Sequence, residues 1–189
     1  MSSDEFHVHG PHDHELEHAA HGGDGFSSRI AVMTAIMATV GALFGFLGGD
    51  TQNKSALYKN NAAIKKTEAS NQWNFYQAKS NKQNLSELAL LLPNVDAEKY
   101  RADISRYREE KATIKKEAEK LEASSLDWDK KSDEQMHEHH LWALATTAEQ
   151  IAISLAAITL LTRKKWMMVG AYGVAGIGIV LGLFTYLHT

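Results

Sequence analysis

Three groups of residues in this 189-residue chain have the types and spacing to do chemistry. The first is a histidine series, "HVH" at 7–9, "HDH" at 12–14, then His18 and His21. Neutral imidazoles at His7, His9, His12, His14, His18 and His21 could converge on Zn, Ni or Cu. They lie in a tail, residues 1–27, with six acids and no Lys or Arg, which predicts disorder and only loose ion binding. No other cofactor is implied. The second group is Glu149 with Gln150, near the middle of an otherwise apolar stretch. A charge at a bilayer centre costs roughly 2.5–3.5 kcal/mol on insertion scales, so Glu149 is expected to face protein or water. Two uses are open: a proton or cation site on a conduction path, or a protonated or hydrogen-bonded carboxyl that joins helices. The third group is His137 and His140 in "MHEHHLW", at a membrane boundary beside Trp142. Interfacial anchoring, pH sensing and metal binding compete there.

Other chemistries find no support. The chain lacks G-x-S-x-G, P-loop and H-E-x-x-H motifs, and its paired carboxylates stand among lysines instead of in a pocket, so no enzyme is expected. It has no cysteine, which excludes disulfides, thiolate metal sites and cysteine nucleophiles. No segment is basic enough to suggest nucleic acid as a partner.

The elements that must position these groups are membrane spans. Ile30 to Leu47 is 18 residues without a charge, which at about 1.5 Å per residue nearly matches a hydrocarbon core of about 30 Å. An acidic tail before it and the absence of a small-residue cleavage site after it argue against a cleaved signal peptide. Two further spans, 141–162 and 166–187, are separated only by "RKK" at 163–165 and must run antiparallel. With the first at 28–49, the chain reads as an all-α integral membrane protein with three transmembrane helices, its main partner the lipid bilayer. The positive-inside tendency places Arg163, Lys164, Lys165 and Arg29 in the cytoplasm, with the N-terminus cytoplasmic and residues 50–140 periplasmic or extracellular. Lys54, Lys59, Lys130 and Lys131 at the other ends of the spans favour the inverted topology, which stays open.

Residues 50–140 carry 16 acidic and 16 basic residues and one proline, Pro93, close to the midpoint. A helix ending before Pro93 and another capped by Asp96 would make a long antiparallel extramembrane helical hairpin, coiled-coil-like, with its turn at 92–95. In the second arm Tyr100, Ile104, Tyr107, Lys111, Ile114, Ala118, Leu121, Ser125, Trp128, Ser132 and Gln135 alternate by four and three, a heptad seam. The first arm offers Ala62, Ala69, Trp73, Tyr76 and Ser80, a weaker one. Within the spans, Gly41 with Gly45 and Gly178 with Gly182 form G-x-x-x-G pairs that let backbones approach. In the second span Leu144, Ala148, Ile151, Leu155 and Ile158 form an aliphatic stripe. Ala143, Thr147, Gln150, Ser154 and Ala157 form a small, polar one, with Ala145, Glu149, Ala152 and Ala156 beside it.

"TEASNQWNFYQAKSNKQNL" at 67–85 resembles the signature E-A-S-x-Q-W-x-x-Y-Q-A-K-S-x-K-Q of a bacterial family of small membrane proteins catalogued as a domain of unknown function. The matching residues are Glu68, Ala69, Ser70, Gln72, Trp73, Tyr76, Gln77, Ala78, Lys79, Ser80, Lys82 and Gln83. "QIAISLAAITLLTRKKW" at 150–166 is similar to the family's second span and basic connection. The resemblance implies an integral membrane protein with helical extramembrane arms and carries over no catalytic or ligand-binding residue.

The functional expectation is a structural or interaction protein of the bacterial inner membrane. It would self-assemble, as a homo-oligomer, or dock on other membrane-protein subunits through Trp73, Tyr76, Gln77, Lys79, Tyr100, Tyr107 and Trp128. A small oligomeric channel using Glu149 and Gln150, and metal binding by the tail, are the alternatives.

Overall fold

The computed structural model of the chain describes residues 25–188. The histidines from His7 to His21 lie outside the described residues. Three helices make up nearly all of this length: α1 Gly25–Ala89, α2 Ala97–Thr162 and α3 Lys165–His188. No strand occurs among the described residues.

Helix boundaries follow local chemistry. Among the described residues no proline falls inside a helix, and α1 passes through Gly41, Gly45, Gly48 and Gly49 without interruption, although each glycine costs up to about 1 kcal/mol against alanine. At its end the amides of Leu91 and Leu92 bond carbonyls only three residues back, Leu88 at 3.0 Å and Ala89 at 3.1 Å, the tightening typical of a last turn. Pro93 disfavours helix at the residue before it. Asn94 then takes φ 62°, a left-handed conformation that asparagine tolerates. Asp96 starts the next helix by accepting the Lys99 amide at 3.1 Å, as an N-cap does. The connection therefore occupies residues 90–96. α2 continues unbroken to Thr162, and only Arg163, at φ 54°, and Lys164 join it to α3. Each of the three helices contains a stretch long and apolar enough to cross a membrane.

The chain divides into two compact units, residues 25–51 with 137–188, and residues 52–136. In the first, the buried residues of α2 are Trp142, Ala145, Glu149, Ala152, Ala156 and Thr159, spaced by three and four. α3 contributes Ala171, Ala175, Gly178, Gly182 and Thr185 with the same spacing, and α1 contributes Ile30, Met33, Met37 and Phe44. Large aliphatics such as Ile36, Leu43, Leu144, Ile151, Val180 and Leu183 are exposed around them. Small residues inside and large apolar ones outside is the arrangement expected where the surroundings are as apolar as leucine and helices gain by close approach.

In the second unit the contacts between α1 and α2 run in opposite order along the two helices: Ser55 with Ser132, Lys59 with Asp129, Ala62 with Ser125, Lys79 with Glu110. None of the eleven α2 positions from Tyr100 to Gln135 that alternate by four and three is exposed. On α1, Ser55, Tyr58, Ala62, Lys65, Ala69, Gln72, Tyr76, Lys79, Gln83 and Ser86 alternate in the same way, and none of these is exposed either.

Candidate functional site

The first unit closes around one acidic side chain. α2 carries Glu149 four residues after Ala145 and three before Ala152, so the row that buries these alanines buries the carboxyl too, at 0% exposure. Glycines on the other two helices make room for it. A methyl group added at Gly41 would lie 3.3 Å from the Glu149 Cβ. One added at Gly178 would meet Glu149 Oε1 at 2.8 Å, the Ala145 carbonyl oxygen at 3.2 Å and the Ala148 Cβ at 3.2 Å. Both carboxyl oxygens are buried, and neither has a hydrogen-bond partner among the described residues. Removing one partner of a buried ion pair typically costs about 3–5 kcal/mol, the scale of penalty for an ionised carboxylate left alone.

Around this point the same device repeats. Gly182 receives the Phe44 ring, against which a Cβ would collide. Phe44 packs in turn on Trp142, ring centroids 5.5 Å apart. Gly48 lies under the Trp142 Cβ, and its carbonyl accepts a hydrogen bond of 2.8 Å from His139 Nδ1, which must therefore carry the ring proton. Gly45 is exposed, with nothing near the place a side chain would take. Of the two glycine pairs, Gly41, Gly178 and Gly182 meet other helices and Gly45 does not.

Gln150 is exposed while Glu149 is buried. The structure does not bring these two polar side chains together, because consecutive helical residues point about 100° apart. With a single carboxyl and no second donor, the buried site offers no ligand set for a metal. No group of three or more His, Asp or Glu able to hold one occurs among the described residues.

The second unit gathers the remaining residues along its seam. Trp73 donates its indole N–H to Glu122 at 2.9 Å and meets Tyr76 edge to face at 5.6 Å. Lys111 lies over the Tyr76 ring at 5.1 Å and donates to the Gln83 side-chain oxygen at 3.2 Å. Lys79 pairs with Glu110 at 2.5 Å and approaches the Tyr107 ring at 5.5 Å. Trp128 packs on Tyr58 at 5.4 Å, and the Lys131 ammonium lies 4.8 Å from its ring centroid. Tyr100 is half-buried and Gln77 is exposed. The Lys79 ammonium holds the Glu110 carboxyl below its ordinary range, and Asp129 holds the Lys59 ammonium above its own.

A groove beside this seam is lined by Lys59, Ala62, Lys66, Ala69, Trp73 and Gln77 on one side and Glu122, Ser125, Leu126 and Asp129 on the other. Sequence reasoning placed Ser125 and Ser132 on the seam and missed Ser55, their counterpart on α1. Ser55 and Ser132 each donate to the other's carbonyl at 2.9 Å, and Ser125 donates to that of Ala62 at 2.9 Å. The signal for Ser55 was the seven-residue recurrence Ser55, Ala62, Ala69 against Ala118, Ser125, Ser132.

One family profile, described as a domain of unknown function (DUF4337), matches residues 26–188, which takes in both units. The chain belongs to this family. No curated protein and no solved structure matches it. The family's description assigns no activity.

Proposed function

We propose that the chain is a membrane-embedded structural and interaction protein that joins further copies of itself, or a larger membrane complex, through an antiparallel helical hairpin formed by residues 50–140. One observation supports this reading above the others. The α1 side of the seam is built from Ser, Ala, Gln, Lys and Tyr, and the α2 side adds Ile104, Ile114, Leu121 and Trp128, while Leu57, Ile64, Phe75, Leu85 and Leu126 stay 57%, 47%, 58%, 65% and 71% exposed. Burying one such side chain fully is worth about 1.5–3 kcal/mol. A charged segment that leaves five large apolar side chains outside its own seam has surface to offer another protein. On this reading the three apolar stretches cross the bacterial inner membrane, the N-terminus is cytoplasmic, and the basic Arg163–Lys165 connection stays there. The hairpin then stands on the periplasmic or extracellular side.

The test is purification in mild detergent with mass measurement and identification of copurifying subunits. Assembly or a stoichiometric partner is expected, and replacing Leu57, Ile64 and Phe75 together by serine is expected to weaken it without loss of helix content. A strict monomer with no partner would sink the proposal.

The unpartnered carboxyl of Glu149 favours a second reading, an ion-translocating subunit in which this group takes up and releases a proton or cation. Liposome flux separates the two. Conduction that falls in Glu149→Gln and Glu149→Ala supports the second reading, and absence of flux in every form removes it.

A further inference from the structure

α2 turns one side of residues 141–162 to the core and the opposite side away from it. On the outer side Ala143, Thr147, Gln150, Ser154 and Ala157 recur by four and three, and all five are exposed. Its hydroxyls need no outside partner. Thr147 donates to the Ala143 carbonyl at 2.7 Å and Ser154 to that of Gln150 at 2.9 Å. The other hydroxyls of the span, on Thr146, Thr159 and Thr162, also bond carbonyls four residues back.

Gln150 is different. Its side-chain amide has two donors and two acceptor lone pairs, and it makes no hydrogen bond among the described residues. It stands near the middle of the span, on a stem too short to reach either membrane surface, and lipid chains supply no partner. Copies inserted in one bilayer with one orientation carry the same residue at the same depth. A primary amide is complementary to itself, since each N–H can donate to the other's carbonyl. The alanine, serine and threonine neighbours let two backbones come close enough for that exchange.

We propose that this outer face of α2 is an interface between two copies of the chain within the bilayer, closed by a reciprocal hydrogen-bonded pair of Gln150 amides. The inference rests on the reading of 141–162 as a membrane span and of the protein as self-assembling, and it adds a contact that the extramembrane hairpin does not supply.

The chain has no cysteine, so an introduced one is the sole thiol. Single cysteines in the full-length protein, reconstituted in liposomes and oxidised with copper phenanthroline, read the interface by its periodicity. Ala143→Cys, Thr147→Cys, Ser154→Cys and Ala157→Cys are expected to give disulfide dimers, and Leu144→Cys, Ile151→Cys and Ile158→Cys are not. Because Gln150 faces away from the core, Gln150→Leu is expected to keep the helix content while lowering the Thr147→Cys dimer yield about tenfold, and Gln150→Asn to retain most of it. Equal linking in both rows, or none in a preparation whose mass is that of an oligomer, overturns this interface and leaves assembly through the hairpin standing. A strictly monomeric mass overturns both. Unchanged dimer yield in Gln150→Leu overturns the amide pair.

Discussion

In the unit formed by residues 25–51 and 137–188, Gly41, Gly48, Gly178 and Gly182 lie against side chains of neighbouring helices, and hydroxyls bond carbonyls of their own helix: Thr34 to Ile30, Thr146 to Trp142, Thr159 to Leu155, Thr185 to Leu181. In residues 52–136 buried alanines and serines line the contact, and Ser55, Ser125 and Ser132 bond across to the other helix. The first unit is held by shape, with flat glycine faces receiving Glu149, Phe44 and Trp142. The second adds directional bonds and ion pairs across its seam. Shape fitting suits a segment whose outer surface is apolar, because there the gain comes from backbones in contact rather than from leaving water. In the charged segment water competes for every polar group, and a buried serine pair keeps only about 1 kcal/mol per hydrogen bond.

Overfilling the glycine faces attacks the first kind of packing and should give the largest effect. Gly178→Leu places carbon against Glu149 and against the Ala145 carbonyl, which is backbone and cannot swing aside. A loss of about 3 kcal/mol is expected in a denaturation titration in detergent. Gly173→Leu, where nothing lies within 4 Å, should cost nothing. Equal losses at both positions would show that glycine acts there through backbone freedom and not through fit.

The next effect has the opposite sign. Glu149→Met keeps the length of the side chain and removes two carboxyl oxygens that have no partner among the described residues. The same titration should show a gain of about 1–3 kcal/mol. A loss would mean that the carboxyl is held by water or by another chain, which would sharpen the case for ion handling. In the second unit Ser132→Ala deletes the hydroxyl that bonds the Ser55 carbonyl and meets the Ser55 hydroxyl at 3.1 Å. About 1 kcal/mol should be lost in thermal denaturation followed by circular dichroism. No change would indicate that this seam, too, is held by shape.

Much of this was legible from residue order. Membrane-spanning candidates follow from uncharged stretches, and the stop and restart of helix from Pro93 and Asp96. Glu149 could be placed inside because a mid-span charge has nowhere else to go. What could not be read was which of three neighbouring rows on α2 faces the core. The buried row is Ala145, Glu149, Ala152 and Ala156, while the small, polar row containing Gln150 and the aliphatic residues Leu144, Ile151 and Ile158 are exposed. A hydrophobic pattern marks the core when the surroundings are water, and that contrast vanishes when the surroundings are lipid. The heptad on α1 was hidden for a related reason. Lys65, Gln72, Lys79 and Gln83 occupy seam positions as half-buried polar side chains, a use that long amphipathic stems permit and residue type does not announce.

The smallest expected effect is the pH response of the second unit, and it separates that unit from the first because its ionisable groups lie outside the long apolar stretches. Glu110 is held below its ordinary range chiefly by its hydrogen bond to Lys79, so its contribution is complete at neutral pH and is lost as pH falls through the lowered value. Lys59 is held above its ordinary range chiefly by its hydrogen bond to Asp129, so its contribution is complete at neutral pH and is lost only as pH rises through the raised value. Stability of the helix pair should thus be flat through neutrality and decline at both extremes, with Glu110→Gln flattening the acid limb and Lys59→Met the alkaline one. Both groups are wet and screened, so added salt should shrink both limbs. If Glu110→Gln and Lys59→Met leave the pH profile unchanged at low salt, these ion pairs hold nothing, and the second unit rests on its serines and rings alone.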